Sequence, residues 1–438
     1  MLALAERAVG YATEAGATEA DATGTIVERF SAEAREAKLV KLEQSKSRSL
    51  TVRTFVDGAK ATLSTTELSA DGLRALVLRA VEAAKSVARD PLSGLPESDG
   101  APNAEAPLEL YFDDVVTRPP EAKIADALAL EKAIREYDPR IDNSSGSRVT
   151  DRIASVALAN SRGFRGSYRG TTAACSTSPI ARDGQERRAG GYGSSARSYA
   201  GLESVPNVAR LAAARAVGYC GARKPAAERL PVIFERDVAA VVLSDIFSSV
   251  SAANVAVGNS FLADRVGERV GSELVTVVDD GLLPGGLGTS PFDAEGVPTR
   301  RTVVFDRGRL DSFLYDTYYG RKLGARSTAN AAGGGIGPNN FYLAAGTMTL
   351  DELIAATPRG VLVLDTIGFA TEYVTGTYSR GARGFMIEGG ELAYPIEGFT
   401  IAGNLGTMLA AVDGVASDLR FDDPIVAPSF RVAEMTIA

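Results

Sequence analysis

The sequence predicts an α+β protein in which an N-terminal αβ region precedes a large, mainly antiparallel β-rich C-terminal domain. Three observations carry that expectation. Apolar residues recur at helical spacing near the start of the chain and again over residues 69–89. After residue 229 the pattern becomes short β runs separated by Gly- and Pro-rich turns. Between these regions, residues 91–110 are rich in Pro, Gly, Ser and acidic side chains, the composition of a linker. A chain of 438 residues has room for two or three domains. The expected division is an N-terminal αβ module (1–90), the linker (91–110), a middle αβ module (111–228) and the β-rich domain (229–438).

In order along the chain, Leu2, Ala5, Ala8, Val9 and Ala12 form one helical stripe, with Gly16 as its stop. Strands follow, with alternation in Leu50, Val52 and Phe55, and Asp57-Gly58 signals a two-residue hairpin turn. Ser69 is the predicted N-cap of a helix whose buried face is Leu73, Leu76, Val77, Ala80, Val81 and Ala84. Residues 121–137 predict a helix ended by Asp138-Pro139. Residues 148–197 predict short strands with a turn at Asn160-Ser161-Arg162-Gly163, and 207–218 a further helix. The last domain opens with the strand LPVIFE and a helix over 236–251. Hairpins are expected at Asp306-Arg307-Gly308 and Glu388-Gly389-Gly390, and a helix over 404–415.

The chain contains no histidine, and Cys175 and Cys220 are its only thiols. A Ser-His-Asp or Cys-His nucleophile and a zinc helix of the H-E-x-x-H type are therefore excluded within this chain, as is an all-cysteine zinc cage. Catalysis by this chain alone would have to use carboxylates, Lys, Tyr or hydroxyls. A net charge of −8 argues against a nucleic-acid partner. No apolar run reaches the ~20 residues that span a bilayer. The first residues read as an amphipathic helix rather than a signal peptide. With two cysteines this predicts a cytoplasmic protein.

Four segments could carry chemistry. Residues 330–340, with Asn339 and Asn340 at their end, form a glycine-rich stretch that reads as a flexible connector or as the lining of a substrate cleft. In 376–385, small residues alternate with Tyr378, Ser379, Arg380 and Arg383. As a loop this could hold an extended peptide or its carboxylate, and a tight β-arch with solvated arginines stands equal to it. Asp293 and Glu295 sit in a Gly/Pro-bounded turn, where two carboxylates share a proton or a cation, or simply bond nearby amides. Helix 236–251 presents Ser244, Asp245, Ser248 and Ser249, and hydroxyls are poor zinc ligands.

Three stretches together resemble the TldD/PmbA family, and specifically its TldE (PmbA)-like branch. They are GGLGTSPFDAEGVPTRRTVVFDRGRLDSFLYDTYYGRKLGARST, VTGTYSRGARGFMIEGGELAYPIEGFTIAGNLGTML, and VALANSRGFRGSYR with ARKPAAERLPVIFERDVAAVVL after it. The resemblance covers essentially the whole chain. It implies an N-terminal αβ part before a C-terminal domain of curved antiparallel sheet. TldD-type members carry a zinc-binding histidine motif on the helix after a strand like LPVIFE, and act as peptidases on small or unfolded proteins. PmbA-type members lack that motif and pair with a TldD-type chain. By position the motif falls near residues 240–251, and many chains of the branch carry histidines near positions 330 and 339 where this one has Asn330 and Asn339.

The resemblance thus implies no cofactor in this chain, zinc in a TldD-type partner, and assembly as that heterodimer or as a homodimer. Unfolded peptide would be the substrate, with Tyr378, Ser379, Arg380, Arg383, Asn339 and Asn340 as cleft wall. Two alternatives stand beside it. One is a separate tailoring enzyme using Asp245, Asp293 or Tyr378, and the other a homodimeric peptide-binding protein without chemistry.

Overall fold

Strands β1 (Glu19–Arg35), β2 (Lys38–Val56) and β3 (Ala59–Thr65) form a meander. It is continued by β4 (Ile141–Asn160), β5 (Arg165–Asp183), β6 (Glu186–Ala189) and β7 (Tyr192–Ala196). The order is β3-β2-β1-β4-β5-β6, with β7 also on β5 and every pair antiparallel. The coordinates, a computed structural model, describe residues 1–97, 107–368 and 371–438. Because β1 lies between β2 and β4, one curled sheet spans both αβ modules expected from the sequence. Of the expected linker, residues 98–106 lie outside the described residues.

Two pairs of helices cover this sheet. Helices α1 (Leu2–Glu14) and α2 (Ala70–Lys85) bury the stripes expected of them, packing with Ala20, Ala22, Leu50 and Val52. The Ser69 hydroxyl caps α2, accepting from the Gly72 amide at 3.1 Å. Asp57 and Gly58 take φ of 49° and 87°, the left-handed pair that a two-residue hairpin turn requires. Beyond the short α3 (Asp113–Thr117), α4 (Pro120–Tyr137) and α5 (Val205–Gly218) pack with Phe30, Ala32 and Val149.

Of the strands expected to be short over 148–197, β4 and β5 are instead long, at 20 and 19 residues, and only β6 and β7 are short. The inward side of β5 is Thr171, Ala173, Cys175, Thr177 and Ala181, so burial alternates while hydrophobicity barely does.

The C-terminal half starts with β8 (Glu228–Phe234) and α6 (Arg236–Val250). It continues through β9 (Val277–Asp280), β10 (Arg301–Asp306), β11 (Arg309–Leu310), β12 (Ala331–Ala332), β13 (Gly335–Ile336) and β14 (Phe341–Leu343). Then come β15 (Arg359–Ile367), β16 (Thr371–Glu372), β17 (Thr377–Glu388), β18 (Glu391–Asn404), β19 (Val412–Val415), β20 (Ile425–Val426) and β21 (Phe430–Ile437). One small sheet runs β11-β10-β9-β14-β20. The other runs β15-β8-β21-β18-β17-β16, and β15 also pairs with β17, which closes it into a small barrel.

Closure depends on one close approach. A Cβ on Gly384 of β17 would stand 1.9 Å from the Leu362 carbonyl oxygen of β15, so only glycine fits. The domain is mainly antiparallel, as expected, with two parallel pairs, β8–β15 and β14–β20. The helix expected over 404–415 ends at Ala410, because the following residues pair as β19 with β21. The barrel interior and α6 share one apolar core, including Val232, Phe234, Val363 and Ile401 with Val242 and Ile246. Among the described residues no helix is long and apolar enough to cross a membrane.

Candidate functional site

Helix α6 carries the residues on which, by the sequence resemblance, the metal motif of TldD-type chains is expected to fall, and a cavity of ≈ 400 Å³ runs along its N-terminal half. Arg236, Ala240 and Ser244, successive turns of one helical face, line it opposite Arg420 and Asp422. The two arginines anchor this face to the first sheet. Both donate to the Tyr192 hydroxyl of β7, Arg420 at 2.7 Å, and Arg420 also pairs with Glu203 and Asp422. At the head of α6, Glu235 pairs with Arg215 at 3.0 Å. Burial, and then the neighbouring Asp237, push its carboxyl above the usual range.

The donors on α6 do not fit zinc. The Ser248 hydroxyl donates to the Ser244 carbonyl at 3.1 Å, and the Ser249 hydroxyl to the Asp245 carbonyl at 2.9 Å. Asp245, 4% exposed, is claimed on both carboxylate oxygens. Arg380 donates to them at 2.9 and 3.2 Å, the Thr371 hydroxyl at 3.0 Å and the Tyr373 hydroxyl at 3.1 Å. Among the described residues no three His, Cys, Asp or Glu gather as a metal could use.

Arg380 reaches Asp245 because residues 377–388 are a barrel strand, not the loop or arch expected of 376–385. Alternation along β17 turns Tyr378 and Arg380 inward and Ser379 and Arg383 outward. Tyr378 is fully buried, its hydroxyl without a hydrogen-bond partner among the described residues, and burial raises its pKa. Arg383 is bound to Asp365 at 2.6 and 2.9 Å and lies 4.5 Å over the Tyr219 ring. Among the described residues β17 is paired along its whole length with β18, and on its other side with β15 over 381–388 and β16 over 377–378, which leaves little edge for an extended peptide. The small and charged residues that suggested a loop are explained by the close β15–β17 approach and by the inward Arg380.

The glycine-rich stretch is pinned rather than loose. It turns through the β12–β13 hairpin, and both its ends are tied to the Asp279 carboxylate of β9. Asn330 Nδ2 donates to it at 2.7 Å, the Asn339 backbone amide at 2.9 Å and Asn339 Nδ2 at 2.9 Å. Asn340 points inward to the Asp280 carbonyl and the Thr289 hydroxyl. The Asp293 carboxylate holds the hairpin from the other side, accepting from the Ala331, Glu295 and Val297 amides. Asp293 and Glu295 do not share a ligand, since Glu295 accepts instead from Arg53 of β2 at 3.4 Å and from the Thr317 amide at 3.0 Å. Neither Asp279 nor Asp293 forms an ion pair among the described residues. Burial pushes Asp279 up to about 6, and burial with the nearby Glu295 pushes Asp293 to about 7.

Asn330, Asn339 and Asp293 face Tyr168 and Phe292 across a cavity of ≈ 240 Å³ between the hairpin and the first sheet. Arg197 clamps the adjoining segment to that sheet, donating to the carbonyls of Gly286, Leu287 and Thr289 at 2.8–3.1 Å. Of the residues expected to form a cleft wall, Asn339 alone lines this cavity. Sequence reasoning missed Asp279 and Arg197. The signal for Asp279 was two adjacent acids in the apolar run Val277–Asp280, fully buried as a strand.

Comparison with known proteins places this architecture in a family. The PmbA/TldA metallopeptidase domain 1 matches residues 20–84, its central domain residues 113–218 and its C-terminal domain residues 227–438. Metalloprotease PmbA of Escherichia coli O157:H7 is 28% identical, covering 99% of this chain and 96% of its own. The Haemophilus influenzae PmbA homologue is 31% identical over 98% of this chain and 94% of its own. A solved protein from Bacteroides thetaiotaomicron, described as a candidate modulator of DNA gyrase, superposes with a TM-score of 0.93 at 26% identity, covering 100% of this chain and 98% of that one. TldE from Thermococcus kodakarensis shares the fold, with a TM-score of 0.88 at 21% identity, covering 99% of this chain and 100% of that one. The chain belongs to the PmbA/TldD metallopeptidase family, on its PmbA, TldE-like side.

Proposed function

We propose that this chain is the metal-free, TldE/PmbA-like subunit of a two-chain metallopeptidase that processes small or unfolded peptides in the cytoplasm. Zinc and the acid–base groups belong, in this reading, to a TldD-type partner, and this chain contributes interface and cleft. The observation that carries it is the state of α6. Its one carboxylate at the expected metal position is neutralised by Arg380, and two of its hydroxyls are spent on their own helix. The similarity to a TldD homologue of Buchnera aphidicola, 25% identical over 173 residues, adds support for a partner of related fold.

The rival catalytic residues are poorly placed for independent chemistry. Asp245 is ion-paired, Asp293 bonds three amides, and Tyr378 lies inside the barrel. Within the cleft reading, Asn339 borders the cavity of ≈ 240 Å³. Asn340, Tyr378 and Arg380 support from behind, and Ser379 and Arg383 lie on the outer barrel face. The test is peptidase activity on an unfolded peptide with the matching TldD-type chain alone, with both chains, and after zinc removal. Activity that needs both chains and zinc is expected. Full activity of the partner alone sinks the reading.

A further inference from the structure

Strand β2 is only half covered. On one side it pairs with β1 over its whole length, Lys38 to Val56. On the other, β3 reaches only Leu50 to Val56. Among the described residues, no strand pairs with this side of residues 38–49, which present an open row of backbone amides and carbonyls about 40 Å long at ~3.3 Å per residue. Both faces of this stretch are also bare. Leu39, Val40 and Leu42 are 39%, 55% and 51% exposed. A long open edge with exposed aliphatics is a pairing and aggregation hazard that folded proteins ordinarily cover or shorten.

The charge on the edge says what covers it. Lys38, Lys41, Lys46 and Arg48 stand against a single carboxylate, Glu43, in a chain whose net charge is −8. Lys41 meets Glu43 and Lys46 meets Glu28 in exposed pairs of the kind worth little. Lys38 and Arg48 have no carboxylate partner among the described residues.

A second copy of this chain fits badly. Directly opposed residues share one face of a sheet, so an antiparallel pair about a twofold axis opposes only residues whose numbers sum to an even value. The one such register that sets an acid against a base, Lys41 opposite Glu43, also sets Lys38 opposite Lys46. Like charges directly opposed are destabilising. A transient occupant fits badly too, since it would leave the aliphatics bare whenever it departs.

We infer that the open edge of β2, residues 38–49, is the docking strand for the partner subunit, which adds an extended segment of acidic and aliphatic residues to the first sheet. This rests on the two-chain reading above, and it adds the surface and the chemistry of the contact.

The test uses this full chain with its matching TldD-type chain and reads assembly and hydrogen exchange, not peptidase activity. On assembly, the outward-facing amides of residues 38–48, alternate ones because the others already bond to β1, are expected to gain protection. The exposed pair of changes Lys38→Glu and Lys41→Glu should weaken assembly by at least about tenfold without lowering Tm, and Lys38→Arg with Lys41→Arg should restore it. If the complex forms while the outward-facing amides of residues 38–48 stay unprotected and charge reversal has no effect, the docking inference falls and the two-chain reading stands. If no complex forms, both fall. If this chain alone dimerises with protection at 38–48, the second copy is the occupant and the inference is wrong.

Discussion

Asp245 and Asp279 are both buried carboxylates that fix a neighbouring segment, but they are compensated differently. Asp245 holds α6 to the barrel through a guanidinium, with two hydroxyls completing its shell. Asp279 holds the ends of the β12–β13 hairpin with amide donors only. A cation offsets the cost of bringing charge out of water, whereas neutral donors offset it partly, and burial accordingly pushes Asp279 up to about 6. The first arrangement fails when its partner is removed. The second responds to pH.

The largest effect should come from breaking the compensated pair. Arg380→Met leaves Asp245 buried without its cation and is expected to cost about 3–5 kcal/mol of unfolding free energy in urea. Adding Asp245→Leu should recover most of the loss, because a well-packed apolar pair replaces the ion pair. A single-variant cost below about 1 kcal/mol would mean that the pair is not acting as a buried charge and its counter-ion.

The next effect separates the two carboxylates by pH. Between the ordinary value of 3.8 and about 6, folded Asp279 keeps a proton that the unfolded chain has released. The folded state binds more protons there, so this group's contribution makes stability fall as pH rises through the window and level off above it. The span is up to about 3 kcal/mol, at ~1.4 kcal/mol per pKa unit. Asp279→Asn should remove that slope, so the difference between wild-type and variant unfolding free energies should change from pH 4 to 6. A constant difference would contradict the uncompensated reading.

The smallest effect tests the amides themselves. Asn339→Ala removes one donor to Asp279 and one to the Ala329 carbonyl, leaving Asn330 in place. A loss of about 1–2 kcal/mol is expected in the same unfolding measurement, with faster hydrogen exchange in residues 330–338. An unchanged exchange rate would show that the hairpin is held by something else.

Helices α1, α2, α4 and α5 were legible because each has an apolar stripe at helical spacing, and the hairpins at residues 57–58, 306–308 and 388–390 because their turns need left-handed backbone. Where side chains are small, as along β5, alternation is faint and strand length was underestimated. The Tyr378–Arg383 stretch reads as a loop because glycine and arginine are surface residues in most settings. Here one glycine permits strand contact and one arginine is the counter-ion of a helix on another element. That Asp245 faces Arg380, and Asp279 faces Asn330 and Asn339, is set by contacts between residues far apart in sequence. Residue types mark such carboxylates as candidates without saying which way they face.

Barrel closure also constrains the order of events during synthesis. Strand β8 is flanked by β15 and β21, both of which leave the ribosome much later. Until they arrive, its Val232 and Phe234 have no strand neighbours, and their wait lengthens with the loop that must close. Within this chain the first sheet needs nothing beyond β7 to complete the pairings it makes, so it can be assembled while the barrel is still unmade. Apart from the open edge of β2, a nascent chain of this protein is therefore exposed to chaperones and proteases mainly through its second half.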